Sequence, residues 1–100
     1  MNIVLIKSGK VEIRKDSGSL MRTIGNGDAV FADLNAKGDL IVITTAIGKV
    51  EIRNDLGSLV RTIGNKDATM AKWNGENIAI TTSKGRTEIQ KANGSLIRSF

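Results

Sequence analysis

The segment GKVEIRNDLGSLVRTI, residues 48–63, is the clearest copy of a unit that recurs along this chain. Residues 9–24 match it at 13 of 16 positions, and residues 85–100 match that first copy at 8 of 16. The copies are offset by 39 and then by 37 residues. Self-similarity at a nearly fixed period of this length indicates a repeat architecture.

Each copy is predicted to be a β-hairpin. Val50 and Ile52 alternate with Glu51 and Arg53, as in a strand with one buried face. Gly57 follows, where a hairpin loop needs a positive φ angle. A β-branched, apolar run precedes each hairpin, and a further strand-like run precedes the second and third hairpins. No segment predicts a helix.

The repeating unit is therefore four short antiparallel strands. Residues 28–63 and 67–100 each hold all four strands, whereas residues 1–24 hold only the last three. This count predicts eleven strands in a single all-β repeat domain.

Composition narrows the possible functions. The chain has no cysteine and no histidine, so it lacks thiolate ligands and the commonest general base and metal ligand. We expect no enzymatic activity, no cofactor and no metal site. No apolar run approaches the ~20 residues that span a membrane, and no signal peptide is recognisable, so we expect a cytoplasmic protein or one assembled into a particle.

The charge is basic but evenly spread. A net charge of +5 arises from 15 basic and 10 acidic residues without a charge block. Such a distribution is typical of soluble proteins, so nucleic-acid binding is not expected, although weak polyanion binding stays open as an alternative.

Four segments of the unit resemble the strands of a β-propeller blade, and the fourth is similar to the last strand of a WD repeat. The Trp-Asp and Gly-His signatures of that family are replaced by Arg53-Asn54 and by Gly25-Asn26 and Gly64-Asn65. The resemblance implies a partial propeller of about two and three-quarter blades. The segments are Asp28–Ala32, Gly38–Val42, Gly48–Arg53 and Gly57–Ile63.

This resemblance also implies association. Propellers close with about four to eight blades, so we expect the chain to assemble with itself, preferably as a dimer, or with neighbouring protein subunits. The expected function is a non-enzymatic structural and scaffolding module, for example in a larger particle such as a virion.

Two aromatic residues are the candidate ligand-binding side chains. Trp73 ends the first strand of its unit at the position that Leu34 occupies in the preceding unit, and Phe31 lies in the matching strand there. The alternatives are stacking on a sugar, as in lectin-like propellers, and packing between blades.

A fixed spacing of ten residues separates three glutamates from three arginines. We interpret them as cross-strand ion pairs that stabilise each hairpin rather than as a ligand site. The pairs are Glu12 with Arg22, Glu51 with Arg61, and Glu88 with Arg98.

Overall fold

The computed structural model describes residues 2–100, and all of its regular structure is β-strand. The predicted all-β class and the eleven strands are confirmed. The strands are β1 (Asn2–Lys7), β2 (Lys10–Lys15), β3 (Leu20–Ile24), β4 (Ala29–Leu34), β5 (Leu40–Thr45), β6 (Val50–Asn54), β7 (Leu59–Ile63), β8 (Ala68–Asn74), β9 (Asn77–Thr82), β10 (Thr87–Lys91) and β11 (Leu96–Ser99).

The strands form three antiparallel sheets, each a meander in chain order. The first sheet holds β1–β3, the second β4–β7 and the third β8–β11. We call β4 and β8 the leading strands, because each begins a four-stranded sheet. Among the described residues, the first sheet has no leading strand.

Irregularities of the ladders recur at matching places. The pairing of the last two strands shifts after Ile13, Ile52 and Ile89 in the three sheets. The pairing of each leading strand shifts in the same manner, between Ala29 and Phe31 and between Ala68 and Met70. The repeat is therefore preserved in backbone geometry as well as in sequence.

One hairpin departs from the repeat. β1 and β2 are joined by a two-residue turn in which Ser8 and Gly9 have φ angles of 52° and 78°. In the second sheet the matching loop is longer, and Gly48 donates its N–H to the carbonyl of Thr45. The first hairpin is thus tighter than its counterpart, and this changes the register of β1 relative to the sequence repeat.

Two apolar clusters fill the spaces between successive sheets. The cluster between the first and second sheets contains Val11, Ile13, Ile24, Ala29, Ile41 and Ile43. The cluster between the second and third sheets contains Val42, Val50, Ile52, Ile63, Ala68, Ala71, Ile78 and Ile80. Both faces of the second sheet are therefore buried, which explains why β5 reads as an almost continuous apolar run.

Candidate functional site

The two junctions between successive sheets use the same backbone contact. The N–H of Ala29 donates to the carbonyl of Gly9 (2.8 Å), and the N–H of Ala68 donates to the carbonyl of Gly48 (3.1 Å). A Cβ atom on either glycine would collide with the backbone of the facing loop. Glycine is required there because the following sheet approaches too closely for any side chain.

The junctions also share a side-chain contact. Ile24 ends β3 and Ile63 ends β7, and they are only 5% and 4% exposed. They pack beside Gly57 and Gly94 of the following sheet, where an added Cβ would lie 2.8 Å and 3.4 Å from the isoleucine Cγ2 atoms. We call the isoleucine the knob and the facing glycine the notch of each junction.

The ends of the stack carry the same two elements without a partner. Phe100 occupies the knob position of the third sheet and is 69% exposed. Gly18 occupies the notch position of the first sheet, and no heavy atom lies within 4 Å of its added Cβ. With Ala79 and Ile89, Phe100 defines what we call the C-terminal outer face.

The first sheet presents a complementary apolar surface. Ile3 and Leu5 are each 39% exposed, whereas Ile41 and Ile43, at the same register positions of the second sheet, are 0% and 1% exposed. Together with Gly18, Ile3 and Leu5 form what we call the N-terminal outer face. Neither face stands out in the sequence alone, although the glycine of each repeated Gly-Ser-Leu and the last residue of each copy mark the positions that form the junctions.

Trp73 lies partly in the core and partly in an open cleft. Its backbone N–H donates to Oδ2 of Asp33 (2.8 Å), and its indole Nε1–H donates to the Asp33 carbonyl (3.1 Å). Its ring packs against the cluster between the second and third sheets. The cleft, of about 390 Å³, is lined by Asn35, Ala36, Lys37, Asp39, Leu40, Trp73, Gly75, Glu76 and Ala92.

Carboxylates border this cleft. Glu76 is exposed, and Oδ1 of Asp39 accepts a hydrogen bond from Nδ2 of Asn35 (2.8 Å). Phe31 is half-buried in β4 opposite Thr44 and does not line the cleft. The structure therefore does not bring the two aromatic candidates together in one pocket.

The predicted cross-strand ion pairs require a correction. The ladder places Thr23 opposite Glu12 and places Arg22 opposite Ile13, so Glu12 and Arg22 lie on different faces of the sheet. Oε1 of Glu12 instead contacts Nη2 of Arg14 at 2.9 Å.

The second and third hairpins depart from the prediction in the same way. Oε1 of Glu51 contacts Nε of Arg53 at 3.0 Å, while Arg61 lies opposite Ile52. In the third sheet, Oε1 of Glu88 accepts a hydrogen bond from Nε2 of Gln90, and Arg98 lies opposite Ile89. Each glutamate thus pairs along its own strand, as expected for side chains two residues apart on one face.

Two buried threonines have structural partners. The hydroxyl oxygens of Thr45 and Thr82 accept the backbone N–H groups of Lys49 and Arg86, at 3.1 Å and 3.2 Å, and so close matching turns. Across residues 2–100, no group of three or more acidic side chains is arranged to hold a metal ion. Over the same residues, no helix is long and apolar enough to cross a membrane.

No protein-family model and no curated protein matches this chain. The two outer faces and the Trp73 cleft are therefore the features from which a function can be inferred.

Proposed function

We propose that this protein is a non-enzymatic structural module that self-associates head to tail through its two outer faces, with its sheets acting as propeller-like blades. The observation that carries the proposal is Phe100, which is 69% exposed at a position where the earlier repeats bury an isoleucine almost completely. The internal junctions supply the template, because Phe100 of one copy would meet Gly18 of the next as Ile24 meets Gly57.

The exposed apolar surface favours association. Full burial of one large apolar side chain stabilises a protein or complex by about 1.5–3 kcal/mol. Phe100 is exposed on the C-terminal outer face, and Ile3 and Leu5 are exposed on the N-terminal outer face, whereas the matching residues at the internal junctions are buried. Exposed apolar side chains on a sheet face favour protein–protein contact there.

The number of sheets supports a closed dimer. Two copies of three sheets each would give six sheets, within the range of about four to eight blades that propellers use. A head-to-tail contact forms a ring when its rotation closes, and then no outer face remains exposed.

Sedimentation equilibrium tests the proposal directly. We expect the wild-type chain to form a dimer at micromolar concentration, and Phe100→Ser to raise its dissociation constant about 10- to 100-fold, as loss of one buried large side chain predicts. Leu56→Ser is the matched control, since Leu56 is 64% exposed in a hairpin loop away from both faces. The proposal would be contradicted if the wild-type chain stays monomeric, or if Leu56→Ser raises the dissociation constant of the dimer as much as Phe100→Ser does.

A second candidate function is carbohydrate binding at the Trp73 cleft. A half-buried indole beside carboxylate and amide groups is the combination that recognises sugars by stacking and hydrogen bonds. Because Trp73 is the sole tryptophan, titration with oligosaccharides should change its fluorescence directly. Trp73→Leu, which copies Leu34, should abolish binding measured by calorimetry, and an unchanged affinity would reject this function.

A further inference from the structure

The outer edge of β1 is open, whereas its counterparts in the other sheets are paired on both sides. β5 lies between β4 and β6, and β9 lies between β8 and β10. Among residues 2–100, β1 pairs with β2 alone. An unpaired strand edge presents a row of backbone donors and acceptors that can bind another strand.

A leading strand beside β1 would cover part of β4, and that part of β4 is partly exposed in this structure. In the third sheet, Ala71 is 0% exposed, and the leading strand β4 lies against β8 across that junction. Its counterpart Ala32 in β4 faces the first sheet and is only half-buried. Ala32 is more exposed than Ala71 because, among residues 2–100, the first sheet has no leading strand to cover it.

A cleft lies at one end of this position. It has a volume of about 490 Å³ and separates Asn2, at the start of β1, from Leu34 and the turn that follows it. The open edge, the half-buried alanine and the cleft thus mark a slot beside the outer edge of β1 and against β4. We call it the β1 slot, defined by Asn2–Lys7, Ala32 and Leu34.

The internal junction indicates which side chain the occupant should carry. Asp33 of the leading strand β4 accepts the backbone N–H of Trp73 in the next sheet. Leu34 holds the position of Trp73 at the first junction, and within residues 2–100 no carboxylate accepts its N–H. A strand in the β1 slot would satisfy that N–H if it carried aspartate at the place of Asp33.

We propose that the β1 slot binds an extended strand of a second chain with the sequence pattern of β4: small, any, apolar, small, Asp, apolar. Main-chain hydrogen bonds to β1 would supply affinity, and alternate side chains would supply specificity, as in other cases of strand addition. This inference goes beyond self-association through the outer faces, because it concerns the edge of the first sheet and a different contact.

The tight turn of the first hairpin sets a limit on the contact. In the second and third sheets, the N–H groups of Ala46 and Ser83 anchor the leading strands at the carbonyls of Asp28 and Asp67 (both 2.8 Å). The corresponding loop, Ser8-Gly9, is shorter. The added strand would therefore be held by its ladder with β1 and by the contact of its aspartate with Leu34.

A peptide supplied in trans tests the proposal on the full chain. The test peptide is capped GDAVFADLN, which copies residues 27–35. Its binding would be measured by fluorescence anisotropy and by hydrogen exchange. We expect one peptide per chain and slower exchange of the alternate amides of residues 2–7 that point away from β2, because only those amides gain a hydrogen-bond acceptor. Exchange in β9, which is already paired on both sides, should not change.

Peptide variants distinguish the proposed contact from nonspecific binding. Replacing the aspartate that copies Asp33 by alanine should weaken binding about 10- to 100-fold, as loss of a hydrogen bond to a charged acceptor predicts. Replacing the valine that copies Val30 by serine should leave affinity unchanged, since Val30 is exposed in β4. KDATMAKWN, which copies residues 66–74, should bind more weakly because lysine stands at the acceptor position.

The same titration on the Phe100→Ser variant separates peptide binding at the β1 slot from self-association through the outer faces. Peptide binding to that variant with protection of residues 2–7 supports strand addition whether or not the chain dimerises. Absence of protection there, equal binding of a scrambled peptide, or displacement of β4 by the peptide would each overturn it. If the peptide does not bind but the wild-type chain still dimerises, the strand site is rejected and the proposed function is unaffected.

Discussion

Gly57→Ala should destabilise the chain more than the same change at Gly18, and the difference measures the packing of the sheet junction. The two glycines occupy the same loop position and have φ angles of 94° and 97°, so the backbone strain of alanine is the same at both. At Gly57 the new methyl group would lie 2.8 Å from Cγ2 and 3.3 Å from Cβ of Ile24. At Gly18 it would meet nothing within 4 Å.

The size of the destabilisation by Gly57→Ala can be estimated from the contact of the new methyl group with Ile24. Overpacking a tight apolar site costs about 1–3 kcal/mol, and the strain common to both variants cancels in the comparison. With a urea m-value of about 1 kcal/mol/M for a chain of this size, the midpoint for Gly57→Ala should lie about 1–3 M below that for Gly18→Ala. Gly94→Ala should fall between them, because its added Cβ would lie 3.4 Å from Ile63 Cγ2.

Urea unfolding followed by Trp73 fluorescence measures all three variants. The measurement is made in the Phe100→Ser background, so that contact between copies does not fill the notch at Gly18. Equal midpoints for Gly57→Ala and Gly18→Ala would contradict the prediction, because they would mean that Ile24 is not packed tightly against Gly57 of the second sheet.

Three further substitutions test individual contacts by thermal or urea unfolding. Gln90→Arg should stabilise the chain by about 1 kcal/mol, because it replaces a buried side-chain oxygen that has no partner and pairs with Glu88. Arg53→Met should cost about 3–5 kcal/mol, since it leaves the buried Glu51 carboxylate unpaired; an effect below that of Arg14→Met would contradict this. Trp73→Phe should cost about 1 kcal/mol through loss of the indole hydrogen bond, measured by circular dichroism.

The strands themselves were predictable because their signals are local. Alternation of apolar and charged residues in Lys49–Arg53 and a glycine with positive φ at Gly57 specify a hairpin without reference to the rest of the chain. The ion pairs were not predictable in the same way. A one-residue irregularity in the ladder between β2 and β3 shifts the pairing after Ile13, and residues opposite one another depend on such shifts.

The number of strands, their order and the antiparallel hairpins follow from the amino-acid sequence alone, since each depends on neighbouring residues. Which face of each strand is buried depends on the packing of the sheets and on the register of each hairpin. Counted back from Gly9 and Gly48, Val4 corresponds to Ile43, yet the tighter first turn places Val4 in the register position of Val42. Because side chains alternate between faces, this single-residue difference assigns Ile3 and Leu5, rather than Val4, to the exposed outer face.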